Sequence, residues 1–115
     1  MVTKTKPAKR KSRNSVRGIA ASRVTSFQAG AIVLVTLNNP REKFWGMMLG
    51  LDAAGVSLRG IELSSFEDAT NAVIAGEPIS SVALFFPMHR VERIELDLPE
   101  GNIPSMSQRF ASRTG

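Results

Sequence analysis

The sequence has no cysteine and only one histidine in 115 residues. Without cysteine neither a disulfide framework nor a thiolate zinc site can form. A single imidazole is too few for the usual histidine metal sites. No nucleophile-elbow motif is present, and Gly55-x-x-x-x-Gly60 lacks the Lys-Ser/Thr that would follow in a phosphate loop. We therefore predict a protein that is not an enzyme and has no metal site and no cofactor.

Long hydrophobic runs are also missing. The longest apolar runs, near Ala31 to Leu37 and Phe44 to Leu51, are far shorter than the ~20 residues that a membrane helix needs. Arg17 and Arg23 interrupt the mildly apolar stretch near the N-terminus, so no secretory signal is predicted. We expect a soluble, cytoplasmic protein with no membrane partner.

Acidic residues are absent before Glu42, and this gives the net charge of +5 an uneven distribution. Residues 25–115 carry seven basic and ten acidic side chains, whereas residues 1–24 carry eight basic ones and no acid. Those eight are Lys4, Lys6, Lys9, Arg10, Lys11, Arg13, Arg17 and Arg23. Residues 1 to about 17 have almost nothing apolar to bury, and we predict a disordered basic tail over residues 1–24.

Five short apolar segments, separated by turn residues, predict a mostly β domain. The predicted strands are Ala31 to Leu37, Phe44 to Leu51, Val56 to Leu63, Ile79 to Phe86 and Arg90 to Leu96. Gly46 and Gly50 lie inside the second strand and indicate a tight bend, as at a barrel corner. In the last strand Val91 and Ile94 are out of phase, which predicts a kink or bulge.

Two helices are predicted in addition to the strands. Ser65 and Asp68 indicate a helix start, and Gly76 is a natural stop, so a short inserted helix is expected near 65–75. Pro104 is suited to open a second short helix in which Ile103, Met106 and Phe110 form an apolar stripe. A short helix or a segment lying on the body is expected from Gly18 to Gln28. The predicted domain is 25–98, followed by a C-terminal extension at 99–115.

Two sequence motifs, one after the other along the chain, carry a resemblance to a known family. The first is apolar alternation followed by aromatic-x-Gly-x-apolar-x-x-x-Asp, and its residues are Val33, Val35, Leu37, Phe44, Gly46, Met48 and Asp52. The second is a short apolar strand, a two-residue pair and apolar residues three apart, and its residues are Leu84-Phe85-Phe86, Met88-His89, Val91 and Ile94. Over residues 30 to 96 the chain resembles the Sm-like (LSm/Hfq-like) family of small β-barrels.

The resemblance implies a strongly bent five-stranded Sm-like barrel that forms a ring oligomer of five or more subunits and binds RNA. Some positions depart from the family pattern. Val56 lies where the Sm motif has a base-holding Asn, and Pro87-Met88 replaces its Arg-Gly pair. Met88 also replaces the lysine of the Hfq Lys-His pair, so only His89 matches. The family's helix precedes the strands, whereas the helix expected in this chain is inserted between them.

Candidate nucleic-acid-binding residues come from the tail and the body. In the tail they are Lys4, Lys6, Lys9, Arg10, Lys11, Arg13 and Arg17, whose charges would release counterions from a phosphate backbone. In the body they are Trp45 as a stacking surface, Asp52 near a base edge and His89 as a donor or stacking partner. Each has a simpler interpretation. In that interpretation the tail only solubilises the protein or directs its localisation, and Trp45 is an interface residue. Asp52 then only forms a turn, and His89 is a polar residue at the start of a strand.

Two functions therefore remain open from the sequence. The first is an RNA-binding or ribonucleoprotein-assembly module that forms a homo-oligomeric ring. The second is a non-enzymatic protein-interaction or structural module, in which the barrel binds a protein partner and the tail binds polyanions. The net charge of −3 in residues 25–115 supports the protein-interaction function, because nucleic-acid-binding surfaces usually concentrate cations.

Overall fold

A computed structural model describes residues 24–79 and 81–115. The predicted tail, apart from Val24, lies outside these residues, as does the first part of the segment Gly18 to Gln28. The described remainder of that segment, from Val24 onward, is irregular and forms a bend over residues 26–28 rather than a helix. Among the described residues, no helix is long and apolar enough to cross a membrane.

The described chain is built on one five-stranded antiparallel sheet, as the apolar segments predicted. The strands are β1 (Ile32–Leu37), β2 (Glu42–Asp52), β3 (Gly55–Glu62), β4 (Val82–Pro87) and β5 (Val91–Leu96). Their spatial order is β4-β3-β2-β1-β5. The first three strands and the last agree with the predicted segments to within two residues. The fourth begins at Val82, not at Ile79, so its predicted start was wrong.

One face of the sheet carries the hydrophobic core. Val33, Val35 and Leu37 alternate along β1 and are fully or almost fully buried, and Met48 and Leu58 contribute from the next two strands. Side chains alternate between faces of a strand, so the residues between them, such as Leu34, point to the other face. The alternation that the sequence shows in β1 is therefore the pattern that selects the core face.

The sheet is not closed, and a barrel is therefore not confirmed. β4 and β5 lie at opposite ends of the strand order. Within the described residues, no strand pairs with the outer side of either one. The predicted kink in the last strand is confirmed, because the register between β1 and β5 shifts so that Leu37 pairs with Val91 while Thr36 pairs with Arg93. This bulge increases the local twist of an edge strand.

Two glycines meet in close contact in the middle of the sheet. Gly46 of β2 lies opposite Gly60 of β3. A Cβ atom at Gly46 would collide with the carbonyl oxygen of Arg59 and lie 2.7 Å from the Cα of Gly60. Only a residue without a side chain fits between backbones that approach this closely. The glycine at position 46 thus permits a close approach to β3, a partner strand that the sequence alone did not identify.

Two helices, α1 (Phe66–Ile74) and α2 (Met106–Thr114), lie within the described residues, and both were predicted. Gly76 ends α1 with φ 82°, and its amide and that of Glu77 donate to carbonyls of the last helical turn. Ser65 occupies the N-cap of α1, but its side chain makes no capping hydrogen bond. Ser105 and Gln108 form a capping box at α2.

The predicted apolar stripe of the C-terminal helix is only partly right. Ile103 precedes α2 and is 63% exposed, so it is not part of the stripe. Phe110 packs against Trp45 and Phe66, with ring centroids 5.5 and 6.1 Å away. The helix therefore covers the sheet face opposite the core, through an aromatic cluster of Trp45, Phe66 and Phe110.

Candidate functional site

The edge of β4 presents backbone groups that face away from the sheet. The amide of Met88 donates to the carbonyl of Ala54 at 2.9 Å. This hydrogen bond fixes which residues of β4 direct their backbone groups toward β3 and which direct them away. Residues Val82, Leu84 and Phe86 therefore direct their backbone groups toward β3, and Ala83 and Phe85 direct theirs outward. An unpaired row of this kind is a template for another strand.

The edge of β5 is exposed in the same way at the other end of the sheet. The amide of Asp97 donates to the carbonyl of Ile32 at 2.9 Å, so the backbone N–H and C=O groups of Glu95 also face β1. Ile94 and Leu96 then direct their amides away from the sheet. The described part of each chain thus offers two different strand edges, one at each end of its sheet.

The side chains at the β4 edge are apolar and accessible. The strand VALFFP contains no charged residue, and Val82 and Phe85 are 50% and 56% exposed. The ring of Phe85 lies over Gly55, where a Cβ atom would come within 2.6 Å of it. Edge strands of monomeric proteins usually carry a charge or a proline that discourages pairing. This one has only Pro87, its final residue, and so is suited to an intermolecular contact.

Two of the predicted site residues lie at the same end of the sheet. Asp52 is in the β2–β3 turn, where its Oδ1 accepts a hydrogen bond from the amide of Ala54 at 2.8 Å. His89 is exposed in the 3-10 turn Met88–Arg90, between β4 and β5. The hydrogen bond between Met88 and Ala54 joins the two turns. Asp52 thus has the turn role, and the structure makes its loop a neighbour of His89.

Trp45 lies apart from these turns, on the sheet face covered by the helices. Its indole Nε1–H donates to Asp97 Oδ2 at 3.0 Å. Its ring packs edge-on against Phe66 and at a tilt against Phe110, each with centroids 5.5 Å apart. The tryptophan is partly buried and contributes to the packing of α1 and α2 on the sheet.

Arg90 lies in the 3-10 turn between β4 and β5 and has a structural role that no sequence signal indicated. Its guanidinium donates to the carbonyls of Asn38 and Pro40 at 2.7 and 3.1 Å and to Glu42 Oε1 at 2.8 Å. These contacts join the start of β5 to the β1–β2 turn. No local motif marks such a residue, because its partners are about fifty positions away along the chain.

The body has few unpaired cations. Four ion pairs join Arg41 to Glu92, Arg90 to Glu42, Arg93 to Glu95 and Arg113 to Glu67. Four of the seven basic side chains in residues 25–115 thus have an acidic partner. The other eight basic residues of the sequence lie in residues 1–24, which contain no acid. Among the described residues, no group of three or more His, Asp or Glu side chains is placed to hold a metal ion.

Comparison with known proteins gives no relative. No family model matches the chain, and neither does any curated protein or solved structure. The fold and the site therefore define the class: a mostly β protein with one open, five-stranded antiparallel sheet and, within the described residues, two accessible strand edges.

Proposed function

We propose that the protein is an Sm-like module that assembles into a ring through its sheet edges and binds RNA. The observation that carries the proposal is the pair of unpaired edges, β4 and β5, at opposite ends of the sheet in the described part of the chain. The proposal also rests on the resemblance of the sequence motifs, which lie on β1, β2, β4, β5 and the short 3-10 turn between the last two, to the Sm-like family. The motif residue Gly46 lies where β2 and β3 approach closely, and Asp52 lies at the β2–β3 turn.

Pairing between β4 of one copy and β5 of the next gives each of the two different edges a partner. β4 contributes an uncharged strand with outward groups at Ala83 and Phe85, and β5 contributes outward groups at Ile94 and Leu96. Because the two surfaces are different, the contact is heterologous and leads to a ring when the rotation closes. Closing the ring pairs every edge and removes the exposed apolar strand from solvent.

RNA binding then combines the tails with the turns at one end of each sheet. Each copy adds eight cations from residues 1–24, and a ring presents several such tails at once, which raises the effective concentration of phosphate contacts. The neighbouring Asp52 and His89 turns are the positions that the resemblance assigns to base contacts. Val56 and Met88 depart from the family residues, so we expect modest sequence preference.

A second candidate function is a protein-interaction module whose edge binds an extended polypeptide. The excess of acid and the ion pairs in residues 25–115 favour it. The uncharged β4 edge is suited to strand addition by a peptide, in which backbone hydrogen bonds supply the affinity. In this case the tail binds polyanions without selecting among them.

Oligomeric mass tests the ring. We expect light scattering of the full chain to give five or more subunits. Ala83→Pro removes an amide that faces away from β3 and should reduce the mass to that of a monomer or small oligomer. Ala83→Thr keeps the amide and suits a strand, so it is the matched control and should keep the wild-type mass. A monomeric wild-type protein at all concentrations would overturn the ring.

Titration of labelled RNA at two salt concentrations tests the nucleic-acid part. Deleting residues 1–24 should lower the salt slope by up to about 0.7 for each phosphate that the tail neutralises on single strands. His89→Ala in the shortened chain should weaken binding to oligo-uridine by about 1 to 3 kcal/mol if the histidine stacks on a base. If the shortened chain binds no RNA while the full chain binds RNA and DNA alike, the protein-interaction function is favoured.

A further inference from the structure

The sheet face opposite the core contains a half-open cavity of about 240 Å³. It lies on β2 and β3, and Phe110 of α2 forms part of its wall. Its side-chain lining is almost wholly apolar and includes Trp45, Met47 and Ile61. Such a cavity is distinct from the buried core and from the two strand edges.

Bare backbone forms another part of the lining. Gly46 and Gly60 both border the cavity, and at both positions a side chain would collide with the backbone of the opposite strand. Side chains at these two positions would lie on the core face with Met48 and Leu58, so on the cavity side Gly46 and Gly60 present backbone alone. A small ligand would contact the strands directly, which is one use of glycine within a sheet.

Arg59 is the one charged residue among the described residues that line the cavity. It is exposed on β3, and its two cross-strand neighbours are Met47 and Ala83, neither of which has a charge. In residues 24–79 and 81–115 no acidic side chain forms an ion pair with it. Three other arginines of the sheet region, in contrast, are paired. The cavity thus combines an apolar volume with an available guanidinium.

We propose that this cavity binds an amphipathic carboxylate, with its alkyl chain on the Trp45 side and its carboxylate on Arg59. An engineered apolar cavity of about 150 Å³ holds a six-carbon benzene ring, so about 240 Å³ accommodates roughly ten carbon atoms. Guanidinium groups suit carboxylates because they can donate two parallel hydrogen bonds. The occupant is therefore a medium-chain fatty acid. The proposal is independent of RNA binding and of the ring.

Trp45 reports on this cavity directly, because the chain has one tryptophan and no tyrosine. The experiment titrates the full-length protein with saturated carboxylates of six, eight, ten and twelve carbons below their micelle concentrations and follows tryptophan emission. Each added CH₂ should tighten binding about fourfold, the equivalent of ~0.8 kcal/mol of apolar burial. The gain should stop near ten carbons, where the cavity is full.

Three variants test where the carboxylate and the alkyl chain of the ligand bind. Arg59→Gln should weaken decanoate binding about tenfold because it removes a charge-assisted hydrogen bond, and it should leave 1-decanol binding unchanged. Arg109→Gln makes the same change on α2 outside the cavity lining and should have no effect. Ser81→Leu places a larger side chain at the lining and should weaken both ligands, with circular dichroism verifying that each variant is folded.

Several results would overturn the proposal. One is an unchanged tryptophan spectrum at a decanoate concentration just below the micelle threshold. Another is an affinity that rises equally from ten to twelve carbons and beyond, which indicates adsorption to a surface or occupation by an extended apolar partner rather than a bounded cavity. A third is equal weakening by Arg59→Gln and Arg109→Gln, which indicates a general charge effect.

Discussion

The close approach of β2 and β3 makes Gly46→Ala a sensitive test of the fold. The new Cβ atom would collide with the Arg59 carbonyl, lying 2.9 Å from its carbon, and would lie 2.7 Å from the Cα of Gly60. All these atoms belong to the backbone, so no rotation of a side chain relieves the collision. The two strands must move apart near Gly46, and this movement loosens the packing of the buried Met48 and Leu58 nearby.

The size of the effect follows from two opposing contributions. Forcing extra atoms into a packed region usually costs about 1–3 kcal/mol. Replacing glycine by alanine restricts the unfolded chain and offsets about 0.4–1 kcal/mol of that cost. We therefore expect a net decrease of about 1–2 kcal/mol in the free energy of unfolding. For a domain of this size that corresponds to a melting temperature lower by roughly 4–16 °C.

Gly50→Ala is the matched control, because it makes the same change in the same strand. An added Cβ at Gly50 has no heavy atom within 4 Å, and φ there is not positive. Its stability should stay equal or rise by up to about 1 kcal/mol. Urea unfolding followed by Trp45 emission and by circular dichroism measures both variants. Equal stabilities for the two variants would refute the steric explanation for glycine at position 46.

Three other predictions concern the contacts that hold the chain ends and edges. Asp97→Ala removes the acceptor of four hydrogen bonds, from the Trp45 indole, the amides of Met106 and Ser107, and the Ser107 hydroxyl. It should cost about 2–4 kcal/mol and shift tryptophan emission to the red. Arg90→Met should lower stability by about 1–2 kcal/mol in urea unfolding; an unchanged midpoint would contradict its role at the β1–β2 turn. Ala83→Pro should reduce the oligomeric mass without a large change in the melting temperature, since its amide faces away from β3.

The strands and helices were predictable because their signals are local. A nearly continuous, β-branched apolar run marked β1, and Gly76 marked the end of α1 through a positive φ that glycine adopts readily. The start of β4 was mispredicted because Ile79 is apolar and precedes the strand, although it lines the cavity instead. Apolar content alone does not tell a paired residue from one packed elsewhere on the sheet.

The tertiary contacts of the candidate site were less predictable. Asp52 makes the turn that its spacing to Gly55 indicated, since a turn is encoded within four residues. The environment of Trp45 depends on Phe110 and Asp97, which are more than fifty positions away, and no periodicity in one segment contains that information. Closure into a barrel depends on the accumulated twist and on partners beyond one chain, and the sequence motifs do not determine it.

The anchoring of α2 by one carboxylate has a consequence for native-state dynamics. The helix has nine residues, too few to be stable alone in water, so its order depends on Asp97 and on the aromatic contact with Trp45. The whole C-terminal segment can thus unfold as a unit while the β-ladder stays intact. Hydrogen exchange should show one common opening free energy for the α2 amides, below that of Val33 and Val35. Opening of that unit would also remove Phe110 from the wall of the Trp45 cavity and so widen the mouth of that cavity.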